Sequence, residues 1–200
     1  QGGGLPRWPL ANQDTGVMLG TSANIVISEA LQKGLNDFDE DAFLDFSSDA
    51  MLGRVGLNFG APPDVTVFED LGYYPADEYE RSTAWTQEQA IADHALGVQL
   101  INMGSVEDGE RLLERGQAWK NIYNAEIGFF HGKNRDGQFT EFESEIFWTE
   151  DYTEGNARQY RWLVPQDPEG LFDILGGKEK SVDLLDEMFD GMIAEDGTNP

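Results

Sequence analysis

Apolar residues recur along this chain mainly at helical spacing, in stretches separated by loops rich in Gly, Pro, Asn and Asp. After Pro6 and Pro9, the pattern predicts a helix over residues 17–35 that ends at Gly34. A second helix begins at Asp39 and keeps Phe43, Leu44, Met51 and Leu52 on its inner side. Residues 53–79 then read as a long connection holding Pro62, Pro63, Gly72 and Pro75. A connection of that length inside a compact domain usually serves function or covers a site. The next helix starts at Ser82 or Thr83 and runs to about residue 102, with Ala90, Ile91, Ala95, Leu96 and Leu100. Ser105 is placed as the N-cap of a following helix, because Glu107 and Asp108 put acids in its first turn. That helix is expected to continue through Leu112, Leu113, Trp119 and Ile122. Residues 128–139 read as a hairpin around Asn134-Arg135-Asp136-Gly137, where Asp-Gly is a strong turn signal. Further helices are predicted over 154–163, 168–175 and 179–192. Antiparallel helix pairs with long decorated loops point to an all-α fold, part of an α/α toroid, more than to a four-helix bundle.

Composition narrows what such a chain can bind. Its 200 residues are enough to bury a core, and 40% hydrophobic with 12% aromatic residues places it among globular proteins. The 38 acidic residues against 13 basic ones, a formal charge of −25, argue against nucleic acid and anionic membrane surfaces as partners. No apolar run approaches the roughly 18 residues of a membrane helix. The opening Gln1-Gly2-Gly3-Gly4 is no signal peptide, so either a signal was removed upstream or the chain starts inside a longer protein. A surface rich in Asp and Glu with only five lysines suits high salt, which screens self-repulsion; an acidic secreted protein is the plainer reading. The absence of cysteine excludes disulfides, thiolate metal sites and a cysteine nucleophile. Two histidines, His94 and His131, make a His-rich zinc site a poor expectation.

Three segments accumulate into a family pattern. The first is Leu5-Pro6-Arg7-Trp8-Pro9-Leu10-Ala11-Asn12, followed by Thr15-Gly16-Val17-Met18-Leu19-Gly20. The second is Leu71-Gly72-Tyr73-Tyr74-Pro75-Ala76-Asp77, running into Thr86-Gln87-Glu88-Gln89-Ala90 with Asp93 following. The third is Tyr152-Thr153-Glu154-Gly155-Asn156-Ala157-Arg158-Gln159-Tyr160, then Val164-Pro165 and Gly176-Gly177. In order and spacing they resemble the catalytic domain of glycoside hydrolase family 92, the bacterial and archaeal α-mannosidases, from Leu5 to about Phe189.

The resemblance implies an inverting exo-mannosidase on an (α/α)6 toroid preceded by a β-sandwich. It implies a calcium ion engaging two hydroxyls of a terminal mannose, a task that suits a cation taking many oxygen ligands. It also implies a mannose-containing glycan as partner and a secreted location, extracellular or periplasmic. Glu88 matches the family's general acid; without the family it reads as a solvated helix-surface residue. The helix dipole there favours the charged form, so burial has to raise its pKa for it to serve as an acid. Gln87 and Gln89 depart from the apolar and aromatic neighbours usual in that segment. Glu154, Asn156 and Gln159 are implied as substrate-binding. On a helix beginning near Glu154, positions 156 and 159 share a face, and amides suit sugar hydroxyls or a calcium shell. The competing reading is an N-cap with polar residues on a wet face. Arg158 stands where the family carries Trp.

Trp8 can stack on a sugar face or simply pack beside its prolines. Arg7 can pair with a carboxylate or bind substrate, and Asp14 is only a weak hint. Tyr73, Tyr74 and Asp77 read more safely as loop anchors than as a cleft rim. Trp85, Trp119, Trp148 and Trp162 read mainly as core aromatics. The acidic clusters at 37–41 and 183–187 lack the spacing of a calcium-binding hand and read as solvated faces.

The family's Trp-Asp-Thr segment is expected upstream, and its Gly-Asn-Glu-Pro and Asp-Asp-x-Gly segments, the latter with the catalytic base, downstream. Residues 1–200 therefore read as a fragment of the toroid domain, inactive alone and completed by the rest of the same polypeptide or assembly. No residue is assigned as a calcium ligand. Two other readings stand beside the enzyme: a non-catalytic carbohydrate-binding or structural module on the same fold, and a different toroidal glycosidase.

Overall fold

The structure is a computed structural model and describes residues 4–15, 17–54 and 62–191. It is mostly helical, with two short two-stranded sheets. The chain divides into two compact units, Gln1–Tyr74 with Trp85–Asn121 and Pro75–Ala84 with Ile122–Pro200.

The first unit opens with β1 (Pro9–Leu10) paired antiparallel to β2 (Gln13–Asp14). Helix α1 (Ser22–Gln32) starts five residues later than its apolar pattern suggests. Met18 and Gly20 both hold left-handed φ values, 68° and 75°, which no α-helix accommodates. Helix α2 (Glu40–Met51) is capped by Asp39, whose side chain accepts from the Ala42 N–H at 3.0 Å. Glu40 and Asp41 in its first turn complement the dipole.

The expected connection is not loop throughout. It contains helix α3 (Val65–Leu71), capped by Asp64 and closed by left-handed Gly72; residues 55–61 lie outside the described ones. Its buried Val65 and Phe68 mark a single turn of apolar face, too short for periodicity to register.

Helix α4 (Ser82–Asn102) is 21 residues long, as its pattern predicts. Ser105 holds the N-cap position of α5 (Val106–Arg115), but its hydroxyl makes no cap bond. That helix stops at Gly116, and the expected continuation is a separate 3-10 turn, Ala118–Ile122. Helices α4 and α5 meet backbone to backbone. A Cβ on Gly97 would lie 2.9 Å from the Gly109 carbonyl, and one on Gly109 2.8 Å from the Gly97 carbonyl. The core behind them gathers Phe43, Leu44, Met51, Leu52, Ala92, Leu96, Leu100 and Leu112.

In the second unit β3 (Tyr123–Asn124) pairs antiparallel with β4 (Phe129–Phe130). The hairpin expected over 128–139 is thus displaced. Around Asn134–Gly137 the chain does turn, but it pairs only through a single Lys133–Phe139 bridge. Polar Asn134, Arg135 and Asp136 there offer no apolar face to extend a ladder. Helix α6 (Ala157–Tyr160) is one turn, whereas α7 (Pro168–Leu175) has its expected bounds. Helix α8 (Lys178–Gly191) closes the described chain, and Met192 of the expected helix lies outside it. Phe129, Tyr152 and Ala157 form a small core with Phe142 and Tyr160, and the Tyr152 hydroxyl donates to the Phe130 carbonyl at 2.6 Å. His131 is buried beside it, stacked on Phe139 at 4.8 Å, with its Nε2 3.1 Å from the Asn124 amide nitrogen. Burial pushes its pKa down to about 4.

Candidate active site

Glu88 sits two turns into α4, half-buried, between Gln87 and Gln89, which are both fully buried. Its carboxyl lies against the backbone of Gly20, where an added Cβ would meet Glu88 Oε2 at 2.8 Å and its own Cβ at 3.3 Å. A side chain at position 20 would therefore collide with the carboxyl, and the 75° φ independently favours glycine. The loop that presents Gly20 is held by Arg7. Its Nε donates to the Gly20 carbonyl at 2.7 Å and its Nη1 to the Met18 carbonyl at 3.0 Å. The same guanidinium lies 4.9 Å from the Trp85 ring centroid, three residues before Glu88. Burial raises the Glu88 pKa, opposing the dipole effect expected from sequence. No hydrogen bond or ion pair to this carboxyl occurs among the described residues.

Five residues along the same helix, Asp93 has a different setting. It is fully buried and takes two hydrogen bonds from Arg115, Nε to Oδ2 and Nη2 to Oδ1, both 2.8 Å. The Gln89 amide adds a third at 2.8 Å, and Arg115 Nη1 reaches the Met51 carbonyl at 2.9 Å. Burial pushes Asp93 up to about 6, with the guanidinium and amide pulling it down. This group ties α4, α5 and α2 together and is already bonded throughout.

Glu154, Asn156 and Gln159 belong to the second unit, and Glu88 to the first. The helix expected from Glu154 begins only at Ala157, because Glu154 takes a left-handed φ of 51°. Asn156 is its N-cap and Gln159 its N3 residue, each side chain accepting from the other's backbone N–H in a reciprocal capping box. Asn156 Nδ2 also donates to the Ile146 carbonyl at 3.0 Å, so the two amides do not stand free on one face as expected. Glu154 is exposed. Arg158 pairs with Glu145 at 2.9 Å.

Trp8 is 48% exposed, and its backbone carbonyl, not its ring, accepts both the N–H and the hydroxyl of Thr15. Tyr73 and Tyr74 are buried; the Tyr74 N–H donates to Thr86 Oγ1, which fastens the loop to the helix carrying Glu88. Asp77 accepts from the Arg135 N–H. Trp119 is fully buried and Trp85 and Trp162 partly so, but Trp148 is 61% exposed, against expectation. Its Nε1 donates to the Tyr152 carbonyl at 2.9 Å, pinning one edge while the face stays open beside a cleft of about 390 Å³ with Glu80, Arg81, Glu143 and Glu150.

The Arg7 guanidinium, read from sequence as pairing with a carboxylate or binding substrate, here donates to two backbone carbonyls, and Gly20 stood only among the motif residues. The available signal was a glycine two residues ahead of the first helical residue, Ser22. Among the described residues no three His, Asp or Glu side chains converge to hold an ion.

The sequence profile of the glycosyl hydrolase family 92 catalytic domain matches residues 1–199. The chain belongs to glycosyl hydrolase family 92. This family 92 chain is similar to a protein of Arthroderma benhamiae described as an uncharacterised secreted glycosidase. The two are 24% identical over 220 residues, 90% of this chain and 28% of that protein. It is also similar to a family 92 inverting mannosidase of Bacteroides thetaiotaomicron, with a TM-score of 0.84 and 25% identity over 92% of this chain and 25% of that one. A family 92 alpha-mannosidase of the same organism, solved in complex with mannoimidazole, gives a TM-score of 0.80 and 25% identity over 94% and 25%. The family 92 chain thus spans about a quarter of the length of these relatives. Its helical fold is that of the expected α/α-toroid piece.

Proposed function

We propose that the enzyme carrying this chain is an inverting exo-α-mannosidase that releases terminal α-linked mannose from glycans, with Glu88 as its general acid. The observation that carries the reading is the Glu88 carboxyl, half-buried against Gly20, raised in pKa by burial and without a bonding partner among the described residues. Burial favours the protonated form of such a group, whose O–H is then available for an incoming oxygen. The sugar class comes from the relatives, of which the two solved ones compared above are described as mannosidases.

In this mechanism Glu88 donates its proton to the glycosidic oxygen as the bond from the anomeric carbon breaks. A water attacks from the opposite face and gives its proton to a base carboxylate. Inversion requires that carboxylate roughly 6.5–9.5 Å from the acid. The base belongs to the rest of the protein. Arg115 already claims Asp93, the nearest buried carboxylate along α4, which removes it from that role. Calcium dependence is part of the proposal on the strength of the family resemblance, with no ligand assigned to this chain. An extracellular location is supported by the secreted glycosidase relative.

The test is turnover of α-mannosides by the complete enzyme, before and after chelation, beside Glu88→Gln. Cleavage with inversion, loss on chelation and recovery with added calcium are the expected results. Full activity of Glu88→Gln on an unactivated mannobiose overturns the acid, and binding of mannose without any product overturns the enzyme reading in favour of a binding module.

A further inference from the structure

The proposed acid owes its environment to residues far from it in sequence. We infer that Arg7 is a positioning residue for Glu88, acting through the Gly20 backbone that it holds against the carboxyl. This rests on the proposed role of Glu88 and adds to it the device that keeps the carboxyl in place.

The geometry runs in one direction. The Arg7 fork takes the carbonyls of Met18 and Gly20 together, at 3.0 and 2.7 Å, and so fixes two peptide units of a loop that turns through left-handed φ at both residues. A planar guanidinium suits this, since its donors stand in a rigid fork. The guanidinium is itself located by the Trp85 ring, on the helix that carries Glu88 and one turn before it. Loop and helix are thereby keyed to each other at two points: guanidinium on indole, and glycine backbone on carboxyl. Gly20 is buried and covers the length of the Glu88 side chain, from Cβ to Oε2. Water that the loop excludes is water that cannot solvate the ionised acid.

The ionisable groups on the two elements meeting here, besides Glu88 itself, are Arg7 and Asp14 on the loop and Asp93 and His94 on α4, with Arg115 of α5 paired to Asp93. Burial is the cause of the raised Glu88 pKa. Loosening the loop therefore acts through solvent and not through lost charge.

The experiment measures kcat against pH for Arg7→Met in the complete enzyme, on two substrates: an unactivated α-mannobiose and a dinitrophenyl α-mannoside whose leaving group needs no proton. The alkaline limb on mannobiose is expected to move down by about one unit, with kcat at neutral pH falling about tenfold. On the dinitrophenyl substrate kcat should stay within about twofold. Arg7→Lys, which keeps the charge and loses the fork, is expected to behave like Arg7→Met. Equal losses on both substrates, an unmoved alkaline limb, or full rescue by lysine each overturn the inference. Should Arg7→Met fail to yield folded enzyme, Gly20→Ala presses on the carboxyl with Arg7 intact, and the same substrate split is expected. Glu88→Gln run alongside separates the two levels. If it shows no substrate split, the acid assignment itself has failed; if it does and the Arg7 and Gly20 variants do not, only the positioning role has.

Discussion

At the Gly20–Glu88 corner, a carboxyl lies half-buried against glycine backbone with no hydrogen bond among the described residues. At the start of α6, the side chains of Asn156 and Gln159 cap each other's backbone, and the remaining Asn156 nitrogen bonds Ile146. Through the family resemblance, Glu88 reads from sequence as a general acid and Asn156 with Gln159 as sugar-binding, with a solvated surface residue and an N-cap as the competing readings. The difference is what the backbone demands. A one-turn helix has orphan N–H groups and little else to hold it, so its polar side chains go to those groups. Two turns into the 21-residue α4 the backbone bonds to itself, and a side chain there is released for other work. Asp93, on the same helix as Glu88, shows the alternative outcome for such a carboxylate: full burial and a two-bonded guanidinium.

This contrast can be broken experimentally. The largest effect belongs to Glu88→Gln, expected to lower turnover of an unactivated α-mannoside by about 10²–10⁴-fold while sparing an activated aryl mannoside. A loss shared by both substrates would move Glu88 out of proton transfer. Next is Arg115→Met, which strands buried Asp93 without its partner. Urea unfolding should show a loss of about 3–5 kcal/mol, and an unchanged midpoint would mean that Asp93 does not depend on its pair.

The buried imidazole tests the second unit. His131 titrates near 4 in the folded protein against about 6.5 unfolded, so the unfolded chain binds more protons in between. Its contribution is intact above about pH 6.5 and is lost as pH falls toward 4. Asp93, raised to about 6, works in the opposite sense, so the comparison of wild type with His131→Phe isolates the histidine. The variant should lose less stability on acidification, and parallel curves would contradict a buried neutral ring. Smallest is Asn156→Ala, expected to cost about 1 kcal/mol of stability, typical of a lost N-cap. Activity per mole of folded enzyme should hold; a drop of a hundredfold would return Asn156 to the substrate.

Much of the helical frame was legible because α2 and α7 carry apolar faces behind aspartate caps, Asp39 and Asp167, while α4 is long enough to register although it is buried nearly all round. The misplaced boundaries share a cause. Glu154, Met18 and Gly20 take left-handed conformations that apolar periodicity does not encode, and each delays a helix. Helix α3 and the Tyr123–Phe130 pairing are too short to impose a period. At the site, the family letters led to Glu88 but not to what surrounds it. Its carboxyl lies against a backbone surface supplied by Gly20, 68 positions away, on a loop held by Arg7, whose guanidinium meets Trp85 across 78 positions; no local spacing reports such contacts. Trp148 misled for a related reason: one hydrogen bond fixes an indole edge without burying its face.

The crossing of α4 and α5 at Gly97 and Gly109 brings the two backbones into direct contact, with the Ile101 and Leu113 side chains flanking it. Elsewhere a displaced helix can be absorbed by rotamers that swing aside; at this crossing the tolerance is a fraction of an atomic radius. A methyl group at either glycine would stand within 3 Å of the facing carbonyl, so the two helices would have to part, and one of them is the helix that carries Glu88.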